Sequence, residues 1–293
     1  MSGMVRVTEV GPRDGLQNER AQVPVADKVA FVNALIAAGF PEVEVTSFVS
    51  PKWVPQLADG AEVMRQATRR AGTVLSALVP NERGLQSALE ARVDKVSVFA
   101  SASEGFSQRN VNASIAECLA RLQPVVQQAR AAGLPVRGYV SCVVRCPFDG
   151  AVSPAAVRSV SERLLVMGCT EIDLGDTIGA AEVPDIDHLL DGMQPLLQPS
   201  DITLHLHDTR GMAAACVERA LLRGVRSFDS SAAGLGGCPY APGAPGNLAT
   251  ETLLATLKRL GFTHGVQAAA VAAAGATMRH TLARIQRDSG GKS

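Results

Sequence analysis

The chain has 293 residues, 46% of them hydrophobic, and 28 basic side chains balance 28 acidic ones. That length accommodates one large domain or two small ones. The neutral balance argues against a nucleic-acid binder, which carries a basic excess, and leaves any anionic substrate to be held by local groups. No apolar run approaches the ~20 residues needed to span a bilayer. A strand pattern begins within Met1–Val10, so the expectation is a cytoplasmic protein with no secretion signal, no membrane partner and no nucleic-acid partner.

Taken in chain order, strand and helix patterns alternate. Val5 to Val10 reads as a strand ending at Gly11-Pro12, and Val25 to Ala38 has helical spacing up to Gly39. A strand over Val43 to Phe48 precedes a helix over Ala58 to Ala67. A strand over Val74 to Val79 precedes a helix over Glu82 to Ala91, and a strand over Val96 to Ala100 precedes a long helix, Ile115 to Ala132. Then come strand Val136 to Val144 and helix Pro154 to Met167, and strand Glu171 to Leu174 and helix Asp185 to Leu197. Strand Ile202 to Thr209 leads to helix Met212 to Leu222, and strand Ser227 to Ser231 to helix Thr250 to Leu260. Gly39, Gly133, Gly168, Gly224 and Gly261 each follow a helix, where glycine supplies a left-handed cap.

Strands that alternate with helices pair in parallel, because each crossover needs a helix. Eight such units predict an α/β fold, a (β/α)8 TIM barrel over about residues 5–261, with additional C-terminal helices over about 262–288, together one catalytic domain. The runner-up, an open doubly wound sheet, brings a Gly-x-Gly-x-x-Gly turn after its first strand, and Gly11-Pro12-Arg13-Asp14-Gly15 does not match it. Gly290-Gly291-Lys292-Ser293 resembles the end of a phosphate loop, but Gln286 stands where the first glycine belongs and no strand precedes it. Cys118, Cys142, Cys146, Cys169, Cys216 and Cys238 are scattered, so no disulfide framework is expected. Cys142 and Cys146 have half of a zinc spacing without a second half, and read as packed thiols.

In such a barrel, chemistry collects at the C-terminal strand ends. There stand Arg13, Asp14 and Gln17, then Glu44 and Ser47, then Ser101, Ser103 and Glu104, then Asp173 and Asp176. His205, His207 and Asp208 follow on the seventh strand, and Cys238 and Asn247 come after the eighth. Alone, His-x-His is more often a polar pair on a solvent-facing strand. Here side chains at i and i+2 share one face, and strands seven, eight and one lie side by side in a closed barrel. Asp14, His205, His207 and Asn247 therefore form a candidate metal set, and oxygen and nitrogen donors without thiolate suit Mg2+, Mn2+ or a similar ion. Asp14 and Asn247 are alternatively helix caps. Cys238 lies in a Gly- and Pro-rich loop, where it is a catalytic acid or base, a filler of a turn, or part of a phosphate cradle.

Long blocks in order resemble 3-hydroxy-3-methylglutaryl-CoA lyase. They are Gly11-Pro12-Arg13-Asp14-Gly15-Leu16-Gln17-Asn18-Glu19, Glu44 through Lys52, Gly175-Asp176-Thr177, Ala233 through Ala241, and Gly246 through Glu251. The resemblance covers about Val5 to Leu260. It implies a TIM barrel that cleaves 3-hydroxy-3-methylglutaryl-CoA to acetoacetate and acetyl-CoA, in leucine degradation and ketone-body chemistry, with a divalent cation on Asp14, His205, His207 and Asn247. It places Arg13 and Cys238 as catalytic residues and Glu44 and Asp176 as active-site acids. It makes Arg13, Gln17 and Ser47 candidate substrate contacts, and it implies a homodimer or higher homo-oligomer. Arg20, Gly105 and Arg210 depart from the family pattern, and Gly105 leaves room for a bulkier 3-substituent. A Claisen-type acyltransferase of the isopropylmalate synthase kind, and a non-enzymatic metal- or CoA-binding barrel, are the rival readings.

Overall fold

In the computed structural model, which describes residues 3–236 and 246–290, eight parallel strands close into a barrel. They are β1 (Arg6–Glu9), β2 (Glu42–Ser47), β3 (Val74–Leu78), β4 (Lys95–Ser101), β5 (Val136–Ser141), β6 (Glu171–Asp176), β7 (Ile202–Leu206) and β8 (Ser227–Ser230). Each strand pairs with the next in chain order, and β8 returns to β1. The helices are α1 (Val25–Ala37), α2 (Gly60–Gln66), α3 (Glu82–Glu90), α4 (Glu104–Val111), α5 (Ile115–Ala131), α6 (Pro154–Met167), α7 (Val183–Met193), α8 (Ala213–Leu222), α9 (Thr250–Arg259) and α10 (Ala268–Gly290). This is the (β/α)8 barrel expected from the alternation. Among the described residues, no helix is long and apolar enough to cross a membrane.

Local signals set most boundaries. Ser114 and Glu117 form a reciprocal capping box at the start of α5. Ser153 caps α6, Pro154 occupies its first position, and Gly168 ends it at φ +113°. All five glycines expected to stop helices have positive φ.

Four differences from the sequence expectation have local causes. β5 ends at Ser141, because Cys142 takes φ +60°; Arg145–Cys146 and Gly150–Ala151 then form a small antiparallel hairpin. α4 is an extra short helix, capped by the Ser103 side chain accepting from Phe106 N at 3.2 Å. Gly11–Gly15 wind into one π-helical turn, three of whose N–H groups share the Val10 carbonyl. The C-terminal extension is one continuous helix, α10, which lies across α1 and the turn Ala232–Gly234.

Strand parity separates two environments. Outward residues such as Val43, Val96, Val136, Ile172 and Phe228 join the apolar layer beneath the helices. The inward set is unusually polar, where barrels of this kind ordinarily carry branched apolar side chains. Arg137 of β5, fully buried, donates to Thr8 at 3.1 Å, Glu171 at 2.9 Å and Asp229 at 3.1 Å, and pairs with Glu42 at 3.4 Å. Lys95 bridges Glu42 at 2.7 Å and Glu171 at 2.6 Å, and Arg6 also pairs with both. The N-terminal floor of the barrel is thus an ionic plug. Above it the lumen opens toward the polar strand ends.

Candidate active site

The π-helical turn after β1 aims Arg13 and Asp14 into the barrel mouth. It is held from outside the barrel by Glu9, which is completely buried. One Glu9 oxygen accepts from Gly11 N at 2.8 Å and Ala232 N at 2.9 Å, and the other accepts from the Thr250 hydroxyl at 2.8 Å. A side chain at Gly11 would put its Cβ 2.6 Å from that carboxylate, so the close approach requires glycine. Glu9 therefore joins the segment bearing Arg13 and Asp14 to the segments on either side of residues 237–245. Burial, opposed by those hydrogen bonds, raises its pKa to about 8.

His205 and His207 project side by side from the end of β7. Their Nε2 atoms lie 3.3 Å apart, and His205 Nε2 is 3.9 Å from Asp14 Oδ2. One ligand atom from each of Asp14, His205 and His207 falls within 4.8 Å of the others. Asn247 joins them through the backbone. Residues 246–248 run beside the end of β7, with Asp208 N donating to Gly246 O at 2.7 Å and Leu248 N to Leu206 O at 3.0 Å. The Asn247 amide nitrogen donates to Asp14 Oδ2 at 2.7 Å and to Leu235 O at 3.2 Å, so its oxygen is the donor it has to offer. Neither alternative role as a cap applies. α9 begins three residues later with Ala249 at its N-cap, and the Asp14 carboxylate turns to the mouth. Asp208 instead accepts from Ala213 N, the first residue of α8, at 3.0 Å. Two converging imidazole nitrogens beside a carboxylate make a donor set that fits a divalent cation.

Charge around these donors is balanced closely. Burial disfavours the Arg13 charge, but Glu44 and Asp14 beside it more than reverse this. Arg13 Nε donates to Glu44 Oε2 at 2.5 Å, its Nη1 pairs with Asp14, and its guanidinium lies 5.5 Å from the centre of the Tyr139 ring. Burial raises the Asp14 pKa, yet Arg13, His205 and His207 bring it down to about 2. Burial, then the neighbouring His205, lowers His207 to about 4. Gln17 braces Asp14 at 2.8 Å. Ser47 is buried with its hydroxyl unpartnered among the described residues, as is the second oxygen of Glu44. Its placement depends on a bulge: β2 slips against β3 between Glu44 and Thr46, which turns Thr46 toward α2 and returns Ser47 to the lumen parity of Glu44.

Beneath the histidines lies a buried group that the strand-end search missed. Asp229 of β8 is paired in register with His205 and sits 3.2 Å from its Nδ1. Tyr139 OH donates to the same Asp229 oxygen at 3.1 Å. Burial works against the Asp229 charge, but Arg137 and His205 hold the carboxylate well below the usual range; burial and neighbouring Asp229 push Asp173 well above it. The available signal was parity: Arg137, Tyr139, Asp173 and Asp229 are polar residues that alternate with the apolar Val136, Val140, Ile172, Leu174 and Phe228 along their strands.

The HMGL-like family model matches residues 4–278. The chain belongs to the HMGL-like family. It is 50% identical to hydroxymethylglutaryl-CoA lyase of Pseudomonas mevalonii, over 98% of this chain and 95% of that protein. It is 49% identical to the 3-hydroxy-3-isohexenylglutaryl-CoA/hydroxy-methylglutaryl-CoA lyase of Pseudomonas aeruginosa, over 92% of this chain and 90% of that one. The crystal structure of the HMG-CoA lyase from Brucella melitensis superposes with a TM-score of 0.93 at 47% identity, covering 95% of this chain and 98% of that chain.

Asp176 shares the outward parity of Ile172 and Leu174, and its oxygens accept from Ala180 N at 3.1 Å and Ala181 N at 2.8 Å. It pins the β6–α7 turn through these two bonds. Cys238 lies outside the described residues. Gly105 does not enlarge a pocket. A Cβ there would lie 2.2 Å from the Asp149 carboxylate, which accepts from Gly105 N at 2.7 Å and from the Ser103 hydroxyl at 2.6 Å. The glycine admits Asp149, which ties the hairpin after β5 to the start of α4.

Proposed function

We propose that this chain is a metal-dependent carbon–carbon lyase that cleaves 3-hydroxy-3-methylglutaryl-CoA to acetoacetate and acetyl-CoA. The observation that carries the reading is the convergence of Asp14, His205 and His207 with Arg13 at the C-terminal mouth of the barrel, in a chain that is half identical along its length to an enzyme of that name. Asp14, His205, His207 and the Asn247 oxygen would hold Mg2+ or Mn2+, which when bound supplies a Lewis acid for the substrate oxygens and lowers the pKa of its tertiary hydroxyl. The reading includes an acyl-CoA as the partner besides further copies of the chain, a homodimer or higher homo-oligomer in the cytoplasm, a single catalytic domain, and a place in leucine breakdown.

The reaction is a retro-Claisen cleavage. The tertiary hydroxyl loses its proton, its oxygen becomes the ketone of acetoacetate, and the C2–C3 bonding pair leaves as the enolate of acetyl-CoA, which takes a proton at carbon. Arg13, kept charged and oriented by Glu44 and Asp14, is placed to stabilise negative charge developing on the thioester oxygen. Glu44 has one buried oxygen uncommitted and suits either proton exchange or ordering of the guanidinium. Gln17 reads as a brace for Asp14, and Ser47 offers its free hydroxyl to substrate. Cys238 enters this reading as the thiol that exchanges the proton with the enolate carbon, and Asp176 as a positioning residue of the β6–α7 turn.

Incubation of the purified protein with 3-hydroxy-3-methylglutaryl-CoA and Mg2+ tests the proposal: acetoacetate and acetyl-CoA are expected in equal amounts, and their absence would sink it. Consumption of acetyl-CoA with a 2-oxo acid would instead support the acyltransferase. Running a 3-isohexenyl analogue beside the methyl substrate reads the tolerance at C3. Cys238→Ala is expected to cut turnover severely with metal content near normal. Unchanged metal content in His205→Ala or His207→Ala would reject the ligand assignment.

A further inference from the structure

We propose that Asp229 is a positioning residue that sets the tautomer of His205, so that the ring presents an Nε2 lone pair toward Asp14 and His207. The inference rests on the metal-site reading above and assigns a part of that site which lies below the ligands. The β8–β7 register places Asp229 opposite His205, with both side chains facing the lumen. A carboxylate only accepts hydrogen bonds. The 3.2 Å contact between Asp229 Oδ2 and His205 Nδ1 therefore requires Nδ1 to carry the proton, and in the neutral ring Nε2 is then left as the free donor atom. That atom is the one lying 3.3 Å from His207 Nε2 and 3.9 Å from Asp14.

Asp229 is itself fixed. Arg137 Nη1 donates to its Oδ1 at 3.1 Å and Tyr139 OH to its Oδ2 at 3.1 Å. The Tyr139 ring stands edge-on to His205, with centroids 6.2 Å apart and planes at 86°, which restrains the tilt of the imidazole. The carboxylate is essentially inaccessible to solvent, so water does not compete for the Nδ1 proton. The ionic plug at the barrel floor thereby reaches the ligand set through one continuous chain, Arg137 to Asp229 to His205. Groups that orient metal-binding histidines in this way commonly influence affinity ten- to hundredfold.

Asp229→Asn reverses the constraint with little change of shape. Arg137 claims the amide oxygen, so the amide nitrogen faces His205 Nδ1, which must then accept, and the ring proton moves to Nε2, into the ligand position. Mn2+ alone, titrated and followed by electron paramagnetic resonance, is expected to bind about 10- to 100-fold more weakly to Asp229→Asn than to the parent protein. Tyr139→Phe, which spares the carboxylate, is expected to change affinity far less. In 15N-histidine spectra of the metal-free parent protein, the neutral His205 ring is expected to carry its proton on Nδ1. A proton on Nε2 in that spectrum, or equal Mn2+ affinity in folded Asp229→Asn, would overturn the inference while leaving the metal reading intact. The parent spectrum decides the matter if the variant does not fold. No Mn2+ binding by the parent protein would instead remove the metal reading itself.

Discussion

Glu9 shows how one side chain can organise a site it never touches. It is buried, reaches three segments at once, and lies one pleat away from the lumen. With the folded pKa raised to about 8, protons bind the folded state more tightly than the unfolded one, whose carboxyl titrates near 4.5. Stability from this group is complete below about 4.5 and is lost as pH rises toward 8. Glu9→Gln keeps the same shape: its oxygen can accept from Gly11 and Ala232, and its amide can donate to Thr250. Urea unfolding of parent and variant across pH 5 to 8 is expected to show the parent losing on the order of 4 kcal/mol relative to Glu9→Gln. Parallel curves would show that Glu9 does not titrate in this window. At the same scale, Arg13 holds Glu44 through Nε and Asp14 through Nη1, a two-pronged arrangement that one ammonium cannot copy. Arg13→Lys is expected to lower kcat about 100- to 1000-fold, the usual loss for an oriented donor at a developing oxyanion, as read in the acetoacetate assay.

Among elements, the loops after the strands carry most of what distinguishes this barrel. The hairpin Arg145–Ala151 and α4 are docked on each other through Asp149, Ser103 and the backbone of Gly105. Gly105→Ala is expected to lower the urea midpoint in the parent background, because the new methyl falls on the Asp149 carboxylate. The same substitution in an Asp149→Gly background is expected to cost much less, since the clashing group is gone. Equal losses in both backgrounds would show that the clash is not the cause. The bulge in β2 makes a related point about elements. Glu44 and Ser47 are three apart and would face opposite sides of a regular strand. One extra residue in β2 puts both toward the lumen.

Across the whole molecule, the barrel is closed around charge. Arg137 alone touches side chains from β1, β2, β6 and β8, so it ties together strands that meet only when the sheet closes. Arg137→Met would leave Glu42, Glu171 and Asp229 buried without their shared cation, at an expected cost of about 3–5 kcal/mol in urea unfolding near neutral pH. With Arg137 present, burial of Glu171 is outweighed by Arg137, Lys95 and Arg6, which depress its pKa to about 2. Its stabilising contribution is therefore present above about 4.5 and is lost as pH falls toward 2. The deficit of Arg137→Met should accordingly shrink on acidification, and a deficit that grows would contradict this account.

The chain alone determined the order of strands and helices, the glycines that stop the helices, and the residues of the candidate metal set and of the arginine segment beside it. These rest on short-range physics: side-chain period, caps, and the backbone freedom of glycine. Asp14, His205 and His207 were legible because they stand at or just after strand ends in strongly patterned segments, and Asn247 because it lies in the block Gly246 through Glu251 that resembles the family. Only the closed barrel decided which way neighbouring polar residues face. Parity turned Asp176 outward to its turn, the bulge brought Ser47 in, and a carboxylate from the next loop filled the space left by Gly105. Asp229, Tyr139, Arg137 and Glu9 became visible as parts of the site only in three dimensions, because their partners lie on other strands and segments. What places them together is strand register around a closed sheet, which no local sequence pattern encodes.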